Sequence, residues 1–235
     1  MLNCNLVRKV AFSSVMASLL AVASTGAQAD QPGRGATGPF EVDYLKFIID
    51  HHYSALRMTE LAAGTDVRRD AEISATEGTS PTPQTTETRA KAQMEEIKSM
   101  ARMNNRGQRE EIMTAQRFLK DWYGVSYEPR LRSDGRQLIR ALESAAPGAT
   151  FDQTFLRLFS RHHYLALSPT IQCLTGADVA HVDLERYCRD IVNMQTSGID
   201  EMRHMLCEKF SDCGYQPFNR GSARRDDSAV NWTQE

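Results

Sequence analysis

Apolar side chains recur every three or four residues along most of the chain, and stretches that alternate with a period of two are nearly absent. Leu45, Ile49 and Leu56, for example, fall on one face of a helix. Gly64 and the Pro147-Gly148 pair interrupt the pattern, as residues that end helices do. The periodicity predicts an all-α protein with helices over 40–63, 87–121, 134–145, 151–174 and 182–210.

The chain contains the same helical unit twice. Residues 40–56 and 151–167 share seven identities in 17 positions, where chance gives about one. The helices that follow also correspond, with Gln108 aligned to Gln195. Because one amphipathic hairpin cannot bury its apolar face alone, we predict a pseudo-symmetric four-helix bundle built from two repeated helical hairpins.

The first residues carry the features of a secretory signal peptide. Arg8 and Lys9 precede a short apolar stretch, and Ala27-Gln28-Ala29 matches the small-x-small cleavage pattern. We therefore expect a periplasmic or secreted protein after cleavage near Ala29. The predicted order is a signal peptide (1–29), a flexible lead-in (30–39), a first hairpin repeat (40–123), a connector with a short helix (124–150), a second hairpin repeat (151–214) and a polar tail (215–235).

Charge and motifs exclude several classes of function. The formal net charge of −2 gives no basic surface for nucleic acid. Beyond the signal peptide no segment approaches the roughly 18 apolar residues of a membrane span. Nothing resembles a nucleophile triad, a phosphate loop or a dinucleotide fingerprint, so we expect no enzyme. The sequence predicts no particular protein partner.

Four cysteines follow the signal peptide, all in the second half of the chain. An even number of cysteines in an exported protein favours disulfides. Their spacing suggests Cys173 with Cys188 and Cys207 with Cys213, and two other connectivities are open. The alternative is a metal cluster bound by cysteine thiolates. The absence of any Cys-x-x-Cys pair argues against it.

A pair of adjacent histidines recurs at the same position of both repeats. Imidazole nitrogen and thioether sulfur suit copper, especially Cu(I). Residues seven apart share a helix face, so His51 and Met58 point the same way. By equivalence, His162 is the favoured ligand of the second half, with His163 and Met202 as helpers. The candidate metal ligands are His51, His52, Met58, His162, His163 and Met202.

These features resemble the family called domain of unknown function 305. Its pattern has a His-His pair, a Met seven residues after the first His, and a second helix with Gln, Glu-Ile and a further Met. The resemblance covers most of 40–210 and implies an often exported, ferritin-like bundle suspected of binding metal, copper in particular. The matching residues are His51, His52, Met58, Gln108, Glu111 and Ile112 in the first half, and His162, His163, Gln195, Ile199 and Met202 in the second.

Each half departs from the family pattern at one methionine. Ala115 stands at the second-helix Met position of the first half, and Pro169 stands at the Met position after the second His-His pair. One composite site or two weakened ones therefore fits better than two complete sites. Glu201 and His204 form a Glu-x-x-His motif of the di-iron type, but the first half has no counterpart.

The sequence thus predicts a non-catalytic periplasmic protein that binds a soft metal, with copper as the favoured candidate, for sequestration or tolerance. The alternative is a helical structural or interaction protein whose histidines only pack. His181, in a predicted connector, is expected to be a solvated residue.

Overall fold

The computed structural model describes residues 37–65, 79–175 and 179–218. The five helices are α1 (Thr37–Ala63), α2 (Glu95–Tyr123), α3 (Ser133–Ser144), α4 (Ala149–Thr175) and α5 (Val182–Phe210). Within these ranges no strand forms beyond one isolated bridge between Thr65 and Thr79. The all-α prediction is confirmed, and the ferritin-like description stays a prediction.

The helices are arranged as two hairpins packed back to back. The closest packing joins α1 to α2 and α4 to α5, and the hairpins meet where α1 lies against α4. The short helix α3 covers one end of that junction, in contact with both α1 and α4. Helices α2 and α5 pack much less closely against each other, which leaves a groove between them.

The second helix begins at Glu95 and not at residue 87 as predicted. The residues before it run along the end of α1, where the last carbonyls of a helix have no partner of their own. The amide of Lys91 donates to Leu61 and that of Ala92 to Ala62, at 2.9 and 3.2 Å. Tertiary hydrogen bonds to α1 therefore replace the first predicted turns of α2.

The four cysteines form two disulfides, Cys173 with Cys188 and Cys207 with Cys213. The first joins α4 to α5 and is buried. The second joins the end of α5 to the segment that follows it. The pairing suggested by the spacing is the one found.

Both ends of the described chain contain more structure than expected. Thr37 to Pro39, placed in the flexible lead-in, form the first turn of α1. Tyr215, the first residue of the predicted tail, is buried and donates its hydroxyl to the carbonyl of Arg157 at 2.6 Å. The signal peptide, residues 30–36 of the lead-in, 66–78 of the first loop and 219–235 of the tail lie outside the described residues. Among the helices that are described, none is long and apolar enough to cross a membrane.

Candidate metal centre

A layer of polar side chains crosses the middle of the bundle between two apolar clusters. One cluster contains Met58, Phe155 and Met202, and the other contains Ile48 and Ile191. Burying polar groups is costly unless they are paired, so a layer of this kind needs a structural or functional reason. Its buried members include His51, His52, Gln108, Ser160, His162, His163 and Gln195.

His51 and His162 stack on each other where α1 crosses α4. Their ring centroids are 3.8 Å apart, with an angle of 19° between the planes. The Nε2–H of His51 donates to the carbonyl of His162, and the Nε2–H of His162 donates to that of His51, each at 3.1 Å. Ser54 Oγ lies 3.0 Å from His162 Nε2 as a further acceptor. This reciprocal pair follows the predicted pseudo-twofold and uses both Nε2 atoms to join the two hairpins.

His52 turns the other way, towards α2. Its Nε2 lies 3.0 Å from Oε2 of Glu111, but the two atoms do not have hydrogen-bond geometry. Both ring nitrogens are buried without a hydrogen-bond partner. A buried imidazole with two unsatisfied nitrogens beside a carboxylate is an unusual arrangement for a packing residue. In the neutral ring one nitrogen carries the proton and the other has a lone pair available for a ligand.

His163, the equivalent of His52 in the second repeat, faces α5 at Gly198. A Cβ on Gly198 would come within 3.0 Å of His163 Nε2 and 3.9 Å of the Met202 methyl carbon. The missing side chain therefore makes the room that the imidazole occupies. The His163 ring and the Met202 methyl group therefore both border the space at Gly198.

A small cavity of about 30 Å³ opens beside His163. It continues into a wider groove of about 590 Å³ between α2 and α5. The amide oxygen of Gln195 and both amide atoms of Gln108 are buried without partners in the layer. The cavity is lined by Met103, Asn104, Gly107, Gln108, Glu111, His163, Met194 and Gln195.

Burial favours the neutral form of the His51, His162 and His163 rings, because it lowers their pKa values. It lowers the pKa of His51 and of His162 well below 6.5, and the neighbouring histidines lower both pKa values further. Burial, with the adjacent His52, lowers the pKa of His163 to about 3. The neutral imidazole is the form that binds metal, so no proton has to leave these rings at neutral pH.

The structure sorts the candidates named from the sequence. It brings His51 and His162 together as a hydrogen-bonded pair and His163 close to Met202, while His52 meets Glu111. Met58 lies in the apolar cluster with Phe155. His163 lines the cavity and His52 lies against Glu111, which also lines it. His51 and His162 use Nε2 to join the hairpins and keep only Nδ1, which in His162 is buried without a partner. Position therefore favours His52 and His163 as ligands.

Glu111 was not singled out from the sequence as a ligand. A glutamate on an amphipathic helix is ordinarily a solvated residue. Its position in the sequence could have indicated that it faces the interior. Glu111 lies three residues after Gln108, which is part of the apolar stripe, and residues three apart share a helix face. The Glu-x-x-His motif of α5 points outward, with Glu201 and His204 both exposed.

The solvated role expected for His181 is wrong. Its Nδ1 lies 2.6 Å from Oε2 of the buried Glu41, and its ring stacks on Trp122 with centroids 3.8 Å apart. The backbone amide of Ala180 also donates to Glu41. These contacts fasten the connector before α5 to the start of α1 and the end of α2.

The donors around the cavity fit a soft metal better than a hard one. In the part of the chain that the structure describes, no group of three or more His, Cys, Asp and Glu side chains is arranged to hold an ion. The lining supplies one imidazole, one carboxylate, three amides and two thioethers, and His52 lies against its carboxylate. Thioether and imidazole donors suit Cu(I), whereas magnesium and calcium need several oxygens.

Comparison with known proteins identifies the family. The model of the family described as "Domain of unknown function (DUF305)" matches residues 83–206. The chain therefore belongs to this family, as the histidine pattern suggested. No curated protein matches it.

Three solved structures with a similar fold carry the name CopM. "CopM in the Cu(I)-bound form" is 19% identical, with a TM-score of 0.52 over 72% of this chain and 97% of that chain. The Cu(II)-bound form has 20% identity and a TM-score of 0.49, over 70% and 94% of the two chains. The Ag-bound form also has 20% identity and a TM-score of 0.49, over 71% and 94%. At this level of identity the likeness to the Cu(I)-bound form shows a shared fold.

Proposed function

We propose that the chain binds copper, as Cu(I), in the polar layer at the middle of the bundle, beside the cavity that His163 and Glu111 line. His163 and His52 would be the principal ligands, with Met202 next to His163 and Glu111 next to His52. The observation that carries the proposal is buried His52, whose ring nitrogens have no hydrogen-bond partner. It lies against Glu111, which lines the cavity together with His163. A bound cation would stabilise polar atoms that otherwise lack partners.

The composition of the site supports a binding protein without catalysis. Each half contributes what the other lacks: the first half supplies His52 and Glu111, and the second supplies His163 and Met202. One composite site of this kind holds a soft cation with neutral donors and one carboxylate. We therefore propose sequestration or tolerance of copper as the role.

Family membership and fold support the same reading. The chain belongs to a family with a His-His pattern, and it shares its fold with a protein whose structure was solved in a Cu(I)-bound form. We propose a periplasmic or secreted location. Two disulfides support it, because disulfides persist in oxidising compartments, as does the signal-peptide pattern that ends near Ala29.

Anaerobic competition against a coloured Cu(I) chelator tests the proposal. We expect the double variant His52→Gln, His163→Gln to lose tight Cu(I) binding. The double variant His51→Gln, His162→Gln should keep it, since a Gln side chain can still donate to the facing carbonyl. His204→Gln, at an exposed histidine of α5, is the matched control and should bind as wild type does.

The competing reading is a structural or interaction protein whose histidines only pack. The reciprocal hydrogen bonds of His51 and His162 favour it, because they show that part of the layer joins the hairpins. If the wild type takes up no Cu(I), or the His52 and His163 variants bind it as tightly as wild type while circular dichroism shows intact helices, this reading replaces ours. Where the double variant fails to fold, the two single variants, each checked by circular dichroism, decide.

A further inference from the structure

Two exposed methionines stand at the mouth of the cavity. Met103 on α2 is 48% exposed, and Met194 on α5 is 55% exposed. Both line the same small cavity as His163. Single exposed apolar residues are common on protein surfaces, but here two thioethers, one from each hairpin, flank one opening.

The opening between them has no side chain at its centre. Gly107 lines both the cavity and the outer groove, and a Cβ built on it meets nothing within 4 Å. Met194 also lines both spaces. The path from the groove to His163 therefore passes Gly107 and the Met194 thioether.

The outer groove favours cations. Its lining includes four acidic side chains against two basic ones, and a cleft with an excess of one charge concentrates ions of the opposite sign. The acidic residues are Glu110, Glu111, Asp183 and Asp190, and the basic ones are Arg117 and Arg186. A positive ion would thus be drawn towards the methionine pair.

We propose that Met103 and Met194 form an entry site that captures a soft monovalent cation, Cu(I) or Ag(I), and passes it to His163. The proposal rests on the proposed function, since it supplies the route to that site. Transfer is an exchange of ligands: a bond from the cation to thioether sulfur breaks as a bond to imidazole nitrogen forms. The cation keeps its charge, the ligands are neutral throughout, and no proton or electron is moved.

The first test follows the methionine methyl groups. In protein labelled with ¹³C at the methionine methyls, Ag(I) serves as a probe that does not change oxidation state. We expect the signals of Met103 and Met194 to shift in the His52→Gln, His163→Gln background, where the inner ligands are gone. Met113, 51% exposed on the same helix as Met103 and absent from the cavity lining, should not shift.

The second test measures loading. Replacing both mouth methionines by Leu keeps their size and apolar character but removes the sulfur. We expect Cu(I) uptake by the inner site, followed in a stopped-flow chelator exchange, to slow by about tenfold or more, within the range in which local capture raises association rates. The Met113→Leu variant should load as fast as wild type.

The outcomes separate this proposal from the proposed function. Unshifted Met103 and Met194 signals, or equal loading rates in a Met103→Leu, Met194→Leu variant that still binds Cu(I), overturn the entry site and leave the inner site standing. A wild-type protein that takes up no Cu(I) overturns the proposed function instead. Shifts at the mouth with slower loading of an unchanged inner site support both.

Discussion

The two hairpins present equivalent histidines to different neighbours. In the first, His52 lies 3.0 Å from the carboxylate of Glu111. In the second, His163 lies over Gly198, which occupies the repeat position of Glu111. Equivalent positions of one duplicated unit thus carry a carboxylate in the first half and space for an imidazole ring in the second, and the proposed site combines the two.

The two hairpins are also closed by different means. The long connector of the first is held by buried Glu60, whose carboxylate accepts hydrogen bonds from the backbone amide and the hydroxyl of Thr82. Arg57 and Arg109 lie at ion-pair distance from the same carboxylate, at 3.4 and 3.7 Å. The short connector of the second is crossed by the Cys173–Cys188 disulfide. The longer connector of the first hairpin is therefore held by buried polar contacts, and the shorter connector of the second by a covalent bond.

Acidification tests the buried histidines that both halves share, and it should have the largest effect on stability. The pKa values of His51, His162 and His163 are lowered in the fold, whereas in the unfolded chain histidine titrates near pH 6.5. Below that pH the unfolded state binds more protons, so stability is full above about 6.5 and is lost as pH falls. We expect the free energy of unfolding to drop by about 1.4 kcal/mol per pH unit for each such histidine.

Urea unfolding of the metal-free protein at pH 7, 6 and 5 measures this slope. The His51→Gln, His162→Gln variant should show a shallower slope, and His204→Gln, at an exposed residue, should match wild type. A free energy of unfolding that stays constant between pH 7 and pH 5 would contradict neutral, buried rings.

Removal of Glu60 tests the connector of the first half. Glu60→Ala leaves the Thr82 amide without its acceptor and Arg57 without its buried partner. Loss of one member of a buried ion pair costs about 3–5 kcal/mol, and we expect a loss of that size in chemical denaturation. Glu143→Ala is the control, because Glu143 is a 45% exposed partner of the same arginine and exposed pairs contribute at most about 1 kcal/mol. Equal effects of the two changes would show that the connector does not depend on Glu60.

Removal of each disulfide tests the second half. Cys173 and Cys188 are separated by 15 residues and Cys207 and Cys213 by 6. Since loop-closure entropy grows with loop length, replacing the first pair by Ser should cost about 3 kcal/mol and the second about 2 kcal/mol. Unfolding of the two variants gives the order, and the opposite order would refute the loop-length argument. Thiol labelling of the denatured, unreduced wild type should detect no free cysteine.

Substitution of two glycines tests the difference between the two halves most locally, and we expect it to have the smallest effect on stability. Gly198→Ala places a methyl 2.8 Å from His163 Cδ2, and overpacking of this kind costs about 1–3 kcal/mol. Gly107→Ala meets nothing within 4 Å and should raise stability by up to about 1 kcal/mol through helix propensity. Thermal unfolding separates the two. We also expect Gly198→Ala to weaken Cu(I) binding by displacing His163, and unchanged affinity would place the ligands elsewhere.

Much of the fold could be predicted because helix periodicity is a local property. The apolar spacing gave the five helices, and α5 has the predicted bounds Val182–Phe210. The start of α2 could not be predicted, since the amides of Lys91 and Ala92 bond to carbonyls of another helix. His181 was missed for a similar reason: its partners Glu41 and Trp122 are remote in sequence and meet it only in the folded chain.

The sequence by itself determined the all-α class, the internal repeat and the presence of a His-His pair in each half. Spacing favoured the disulfide pairing, and the tertiary structure decided it. Only the tertiary structure decided which helix each histidine of a pair faces. Adjacent residues on a helix diverge by about 100°, and both faces at the His-His position are apolar, so the pattern does not choose between them. The packing of α1 on α4 sets these directions. His51 and His162 lie in that contact, and His52 and His163 therefore face α2 and α5.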